Sequence, residues 1–179
     1  ETVFSEPAFV PAVSKPDDVA DRRVLRRAGK LLEEAGWIVG DDGIRRNAKG
    51  EKLTVDILND GASFERIINP YVENLKRLGI DATYNRVDNA QATEREKKFD
   101  FDITTRRYNM SQTPGIELRG IFGSQAVDVQ GSNNVSGVNS PAVDALIGKI
   151  ESATSREDLR VAVKALDRVL RAMHIWVPQ

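Results

Sequence analysis

Residues 28–50 read AGKLLEEAGWIVGDDGIRRNAKG, a stretch that combines an amphipathic helix, a glycine stop and an Asp-Gly turn. We expect this helix to begin at Asp17 and Asp18, because carboxylates are favourable beside the free amide groups of a helix start. Gly36 should end the helix as a left-handed cap. The apolar positions recur every three or four residues and so form one stripe: Leu25, Ala28, Leu32 and Ala35.

The segment after Glu51 alternates between strand patterns and helix patterns. Pro70 lies inside the first helical pattern and should kink that helix or delay its start. Strands and helices that alternate at this spacing favour right-handed crossovers and an α/β fold with a mainly parallel sheet flanked by helices. The predicted strands cover residues 53–58, 80–87 and 101–105, and the predicted helices cover residues 64–78 and 89–98.

The C-terminal third of the chain predicts a short helix followed by a helical hairpin. Thr113 and Pro114 should open the short helix as its cap and first-turn residue, over residues 114–122. Ser140 precedes the first helix of the hairpin, and Ser155 begins a capping box that opens the second.

The length and the proline distribution predict one domain with an extended arm. A chain of 179 residues with 40% hydrophobic content can bury one core. Residues 1–16 hold three of the seven prolines and have no helical period, so they predict the arm. Residues 17–179 then predict a single α/β lobe. Because the chain starts at Glu1 without an initiator Met, we expect a processed or excised piece.

The composition excludes several classes of function. A formal net charge of −1 gives no global field that would attract nucleic acid, so we expect no nucleic-acid partner. The absence of cysteine removes disulfides, thiol nucleophiles and thiolate metal sites.

Few residues suggest catalysis. His174 is the only histidine, so a metal site would need carboxylates alone around it, and we expect no metal and no cofactor. Asp100 and Asp102 would share one face of the third strand and could couple as an acid and base pair. An α/β hydrolase that uses His174 with Asp100 or Asp102 is therefore the alternative to a protein without catalysis, although no Gly-x-Ser-x-Gly elbow supports it.

The polar loops after the strands are the candidate binding site, because ligands of parallel sheets bind beyond the carboxyl ends of the strands. Guanidinium donors, an aromatic face and an amide would make a floor for a polar, partly charged solute. The same residues also fit a solvated loop with two exposed arginines. The candidate ligand-binding residues are Asn59, Arg106, Arg107, Tyr108, Asn109, Met110, Ser111 and Asn134.

Six segments occur in a specific order and spacing: AGKLLEEAGW at 28–37, DDGIRRNAKGEKLTV at 41–55, NPYVENLKRLGIDATYNRVD at 69–88, KKFDFDITTRRYN at 97–109, SNNVSGVNSPAVDALI at 132–147, and SREDLRVAVKALDRVLRAMHIWVPQ at 155–179. Together they resemble the second lobe of bacterial solute-binding proteins of the oligopeptide, dipeptide and nickel class. The loop NMSQTPGIELRGIFGSQ is similar to the branch that serves oligopeptide or microcin C type importers.

This resemblance implies a lobe of the type II periplasmic-binding fold, with the arm near the hinge. It further implies a periplasmic receptor without catalysis, whose two lobes close around a peptide or peptide-like solute. Its partners would be the N-terminal lobe, which is missing from this chain, and an inner-membrane ABC permease.

One departure from the family pattern concerns the peptide amino terminus. The resemblance implies an Asp after the third strand, before a Pro, but no Asp occurs between Asp102 and Asp128. The neighbouring Arg106 and Arg107 instead favour an acidic or carboxylate group on the solute.

Overall fold

The computed structural model describes residues 7–10, 20–108 and 113–177. The chain forms two compact units. We call residues 20–96 and 100–106 the sheet unit, and residues 7–10, 97–99, 107–108 and 113–177 the helical unit. Most of the predicted arm, residues 1–16, lies outside the described residues.

Helix α1 spans Arg22–Glu34 and opens the sheet unit. Asp21 is its N-cap, and the Asp21 carboxylate accepts hydrogen bonds from the backbone N–H groups of Arg23 and Val24 at 2.9 and 3.4 Å. The predicted start at Asp17 and Asp18 is therefore corrected to Asp21, because the Asp21 carboxylate satisfies the free amide groups of the first turn. Residues 17 and 18 lie outside the described part of the chain.

The predicted stop at Gly36 is confirmed. Gly36 has φ +88°, and its N–H donates to Glu33 O at 2.9 Å. The next N–H, of Trp37, donates to Leu32 O at 2.9 Å. This pair of bonds is a Schellman motif, which requires a left-handed residue that glycine adopts at little cost.

A short antiparallel hairpin follows, made of β1 (Ile38–Val39) and β2 (Arg45–Arg46). The chain then enters a three-stranded parallel sheet of β3 (Thr54–Asn59), β4 (Asp81–Arg86) and β5 (Ile103–Thr104), in the order β4-β3-β5. The register pairs Thr54 with Asp81 and Ile57 with Ile103. The prediction of a parallel sheet is confirmed.

Strand β5 is shorter than the predicted 101–105 for a local reason. The Asp102 carboxylate accepts a hydrogen bond from the backbone N–H of Asp56 at 2.7 Å. In a regular sheet ladder, a backbone carbonyl would accept this hydrogen bond. Asp102 N–H donates in turn to Asp56 O at 3.0 Å. The side chain thus replaces a ladder bond, and regular pairing starts only at Ile103.

Two helices connect the strands. Helix α2 (Glu65–Arg77) follows a 3-10 turn at Ala62–Phe64 and contains Pro70. Helix α3 spans Asn89–Lys97. The buried core of the sheet unit joins α2 to one sheet face and consists of Ile57, Ile68, Val72, Leu75, Ile80 and Ala82. Because side chains alternate along a strand, Asp56 points to the opposite face from Ile57, and there it bonds to Arg95 of α3 at 2.6 Å.

Arg45 joins the C-terminal ends of α1 and α2. Its side chain is 5% exposed. Its Nε donates to Leu78 O at 2.6 Å, and its Nη1 donates to Trp37 O at 2.7 Å. Helix α2 ends in a second Schellman motif at Gly79, which has φ +80°. A cation at these two ends also complements the negative poles of both helix dipoles.

The helical unit contains α4 (Glu117–Phe122), α5 (Pro141–Glu151) and α6 (Arg156–Ala172). Ser140 and Ser155 are the N-caps of the last two helices, as predicted. Helix α4 begins at Glu117 rather than at Pro114, since the chain first makes a turn in which Leu118 N–H donates to Gly115 O at 3.1 Å.

The predicted helical hairpin is confirmed, and α4 packs with it. The core of the helical unit is Leu118, Ile121, Phe122, Val138, Val143, Ile147, Ile150, Ala162, Leu166 and Leu170. Within the described ranges, no helix is both long and apolar enough to cross a lipid bilayer.

Candidate functional site

The sheet unit has a polar cavity where β3 and β5 end. Its volume is about 130 Å³. We call it the strand-end cavity and define it by its lining residues: Asn59, Asp60, Asn89, Ala92, Thr93, Glu96, Thr104, Thr105 and Arg106. The carboxyl edge of a parallel sheet is the usual ligand-binding edge of α/β folds.

Asn59, the last residue of β3, fixes the floor of the strand-end cavity. It is only 4% exposed. Its side-chain amide donates to the Thr105 hydroxyl, and its side-chain oxygen accepts the N–H of Gly61 at 2.7 Å. These bonds tie the end of β3 to the end of β5 and satisfy the buried amide.

One face of α3 forms the wall. Asn89, Thr93 and Glu96 are spaced four and three residues apart, so they lie on the same side of the helix. Asn89 Nδ2 donates to Asp60 Oδ2 at 2.8 Å, which joins this wall to the loop after β3. The sequence interpretation missed Asn89, Thr93 and Glu96, although their polar helical spacing beside the strand ends was a usable signal.

Glu96 is the most constrained charge in the cavity. Its side chain is 16% exposed, and its Oε2 lies 3.3 Å from Arg106 Nη1. Its other oxygen, Oε1, accepts the Thr104 hydroxyl at 2.9 Å. Arg106 lines the cavity, and its guanidinium already has a carboxylate partner in the protein.

The other predicted loop residues are distributed differently. Arg107 is exposed and, with Tyr108, belongs to the helical unit. The Tyr108 hydroxyl donates to Asn133 O at 3.4 Å, and its ring lies 6.3 Å from that of Phe122 between centroids. Asn109, Met110 and Ser111 lie outside the described residues.

Asn134 has a structural environment in the helical unit. It is 0% exposed. Its Nδ2 donates to Gly123 O at 3.2 Å and to Val138 O at 2.9 Å, while its Oδ1 accepts Val138 N–H at 2.9 Å. Its amide is thus engaged by backbone groups, and Asn134 is not among the residues that line the strand-end cavity.

The residues of the hydrolase alternative have other partners. His174 is exposed, and its ring lies edge-on to Phe9 with centroids 4.4 Å apart. Asp100 Oδ2 bonds to Arg95 Nε at 2.8 Å, and Asp102 accepts the N–H of Asp56. The hydrogen bond that the Arg95 guanidinium donates to the Asp56 carboxylate is the main cause that raises the pKa of Arg95. In the described part of the chain, no group of three or more His, Asp or Glu side chains could hold a metal ion.

Comparison with known proteins identifies the family. Residues 2–127 match the family model described as bacterial extracellular solute-binding proteins, family 5 middle. The probable peptide-binding protein YejA of Agrobacterium fabrum is 44% identical over 163 residues, which is 91% of this chain and 26% of that protein. The chain belongs to family 5 of the bacterial extracellular solute-binding proteins.

Solved structures agree with the fold. The oligopeptide-binding protein AppA of Bacillus subtilis, in complex with a nonapeptide, matches 97% of this chain with TM-score 0.75 and 21% identity. The mannohexaose-bound periplasmic oligopeptide-binding protein of Thermotoga maritima matches 92% with TM-score 0.73 and 21% identity. The predicted type II periplasmic-binding fold is therefore confirmed. The chain spans 33% and 32% of these two proteins.

Proposed function

We propose that this chain is part of the solute-binding component of an ABC import system, that its solute is a peptide, and that it does no chemistry on it. It would form one lobe, the second, of a two-lobed periplasmic receptor. Its partners would be the first lobe and an inner-membrane permease. The observation that carries the proposal is the polar strand-end cavity in a chain of this family.

The position and chemistry of the cavity support binding of a polar solute. It lies at the carboxyl edge of β3 and β5, and amide, hydroxyl and carboxylate groups line it. Peptides carry amide donors and acceptors throughout, and groups of this kind can pair with them. Because the buried Asn59 and the largely buried Glu96 are held by internal hydrogen bonds, the lining is preorganised for a ligand.

The proposed function involves no catalysis by this chain. A hydrolase would need a base within hydrogen-bond reach of a nucleophile or water. His174 contacts Phe9, while Asp100 and Asp102 bond to Arg95 and to a backbone N–H. Nothing in the comparisons favours the hydrolase alternative.

The test is a titration of the ¹⁵N-labelled chain, followed by amide shifts in two-dimensional NMR. The probes are a mixed pool of tri- to pentapeptides and, separately, mannohexaose. One lobe supplies only part of the contacts that lobe closure would give, so we expect weak binding, on the order of millimolar. We expect the peptide pool to shift the Asn59, Asn89 and Thr105 signals.

Two results would contradict the proposal. One is a spectrum that the peptide pool leaves unchanged. The other is a shift pattern that mannohexaose produces around Asn59 and that peptides do not, which would indicate a sugar as the solute. Asn134, whose amide is engaged inside the helical unit, supplies an internal reference signal that neither probe should move directly.

A further inference from the structure

We infer that the strand-end cavity selects the part of the solute that carries a cationic nitrogen, an ammonium or guanidinium group. This inference rests on the proposed function and specifies the chemistry of the same site. It concerns one end group or side chain of the solute, because a volume of about 130 Å³ is small. Cavities that enclose a whole small ligand measure roughly 300–1,000 Å³.

The charges of the lining are unequal. Asp60 and Glu96 contribute two carboxylates, and Arg106 contributes the only cation among the lining residues. Arg106 pairs with Glu96 at 3.3 Å, which leaves the Asp60 charge without a cation in the lining. Arg86, on the neighbouring strand β4, pairs with Glu65 at 2.6 Å. A solute group that enters the cavity therefore meets one uncompensated negative charge.

The hydrogen bonds of the lining favour a donor-rich group. Three side-chain donors of the lining, Asn59 Nδ2, Asn89 Nδ2 and Thr104 Oγ1, each donate one hydrogen bond to an acceptor within the lining. The Asp60 carboxylate can accept about four hydrogen bonds, and its one bond from the described residues comes from Asn89 at 2.8 Å. Spare acceptor capacity beside a net negative charge suits an ammonium or guanidinium, which has several donors and no acceptor.

The pairing of Arg106 also changes the expectation drawn from the sequence. An acidic solute group would have to compete with Glu96 for the guanidinium. Glu96 holds its position through the Thr104 hydroxyl and is 16% exposed, so it is not readily displaced. Arg106 therefore gives no reason to expect that the cavity prefers an acidic group on the solute.

The experiment compares three blocked tripeptides that differ only in the central side chain. The probes are acetyl-Gly-Lys-Gly-amide, acetyl-Gly-Gln-Gly-amide and acetyl-Gly-Glu-Gly-amide, titrated into the labelled chain at low salt. Charge-assisted hydrogen bonds in a partly buried site predict that the lysine peptide binds on the order of tenfold more tightly than the glutamate peptide. Blocked ends ensure that the side chain alone carries the charge.

Three variants assign the effect to named groups. Asp60→Asn keeps the shape and should reduce the lysine preference to about threefold or less. Glu96→Gln keeps an acceptor for Thr104 but releases Arg106, so this variant should favour the glutamate peptide. Asp100→Asn is the matched control, since Asp100 pairs with Arg95 and is not part of the lining; its preference should equal that of the unmodified chain.

The outcomes separate the two proposals. A lysine preference that Asp60→Asn reduces and Asp100→Asn preserves supports the inference. Equal affinity for all three peptides, or a preference for the glutamate peptide in the unmodified chain, overturns it while peptide binding itself still stands. If none of the three peptides binds, the proposed function is contradicted and the inference with it.

Discussion

Replacement of Arg45 by Ala should destabilise the sheet unit strongly. The change removes the donors of two partly buried carbonyls, Leu78 O at 2.6 Å and Trp37 O at 2.7 Å. A hydrogen bond from a charged group is worth about 1.5–3 kcal/mol, so the two bonds together amount to about 3–6 kcal/mol. Relief from burying the guanidinium offsets part of this loss, and we expect a net cost of about 3 kcal/mol in the free energy of unfolding.

Urea unfolding, followed by Trp37 fluorescence in a Trp176→Phe background, measures this cost. Arg46→Ala is the matched control. The adjacent arginine donates two hydrogen bonds to Asp42, at 2.7 and 2.9 Å, but this pair is exposed, so solvent screening keeps its contribution below that of the buried Arg45 bonds. The reasoning is refuted if Arg45→Ala and Arg46→Ala lower the unfolding midpoint equally. Arg45→Lys should recover only part of the loss, since one ammonium lacks the fork that reaches both carbonyls.

Two further predictions concern the helical unit. Asn134→Ala should lower the free energy of unfolding by about 3 kcal/mol, because it leaves the backbone groups of Val138 without partners in a fully buried place. A thermal unfolding midpoint no lower than that of the unmodified chain would show that the Asn134 hydrogen bonds do not stabilise the fold. Hydrogen bonds from the Ser124 hydroxyl and N–H lower the pKa of Asp144 below 3.8, its usual value. Its stabilisation is present above about pH 4 and is lost as the pH falls through the lowered value. Asp144→Asn should therefore flatten the decline in urea midpoint below about pH 4, and an unchanged slope would contradict this.

The sequence predicted the elements whose signals are local. Gly36 and Gly79 end helices because a left-handed residue is needed there, and this need is visible in the chain itself. Ser140 and Ser155 start helices for an equally local reason. Alternating strand and helix patterns then specify a parallel sheet with little ambiguity.

Features that depend on distant partners could not be predicted in the same way. Arg45 and Arg46 are adjacent and identical in type, yet only Arg45 is buried, because its acceptors lie eight and 33 residues away. The start of α1 was misplaced since several Asp residues nearby could serve as the cap. Tertiary contacts decide such cases.

The candidate site was predicted in part. Asn59 and Arg106 follow strands, so the rule for strand ends identified them. Asn89, Thr93 and Glu96 were overlooked because solvated helix faces use the same residue types. The Glu96 pairing that alters the meaning of Arg106 becomes visible only when α3 is placed beside β5.

Arg45 lies at the amino edge of the parallel sheet. Its O accepts the N–H of Leu53 just before β3, and its N–H donates to Gly79 O just before β4. The strand-end cavity lies at the carboxyl edge of the same strands. The residues that stabilise the fold and the residues proposed to bind the solute thus lie at opposite edges of one sheet. Substitutions in the cavity lining, in evolution or by design, therefore need not disturb the Arg45 hydrogen bonds that hold the two helices in place.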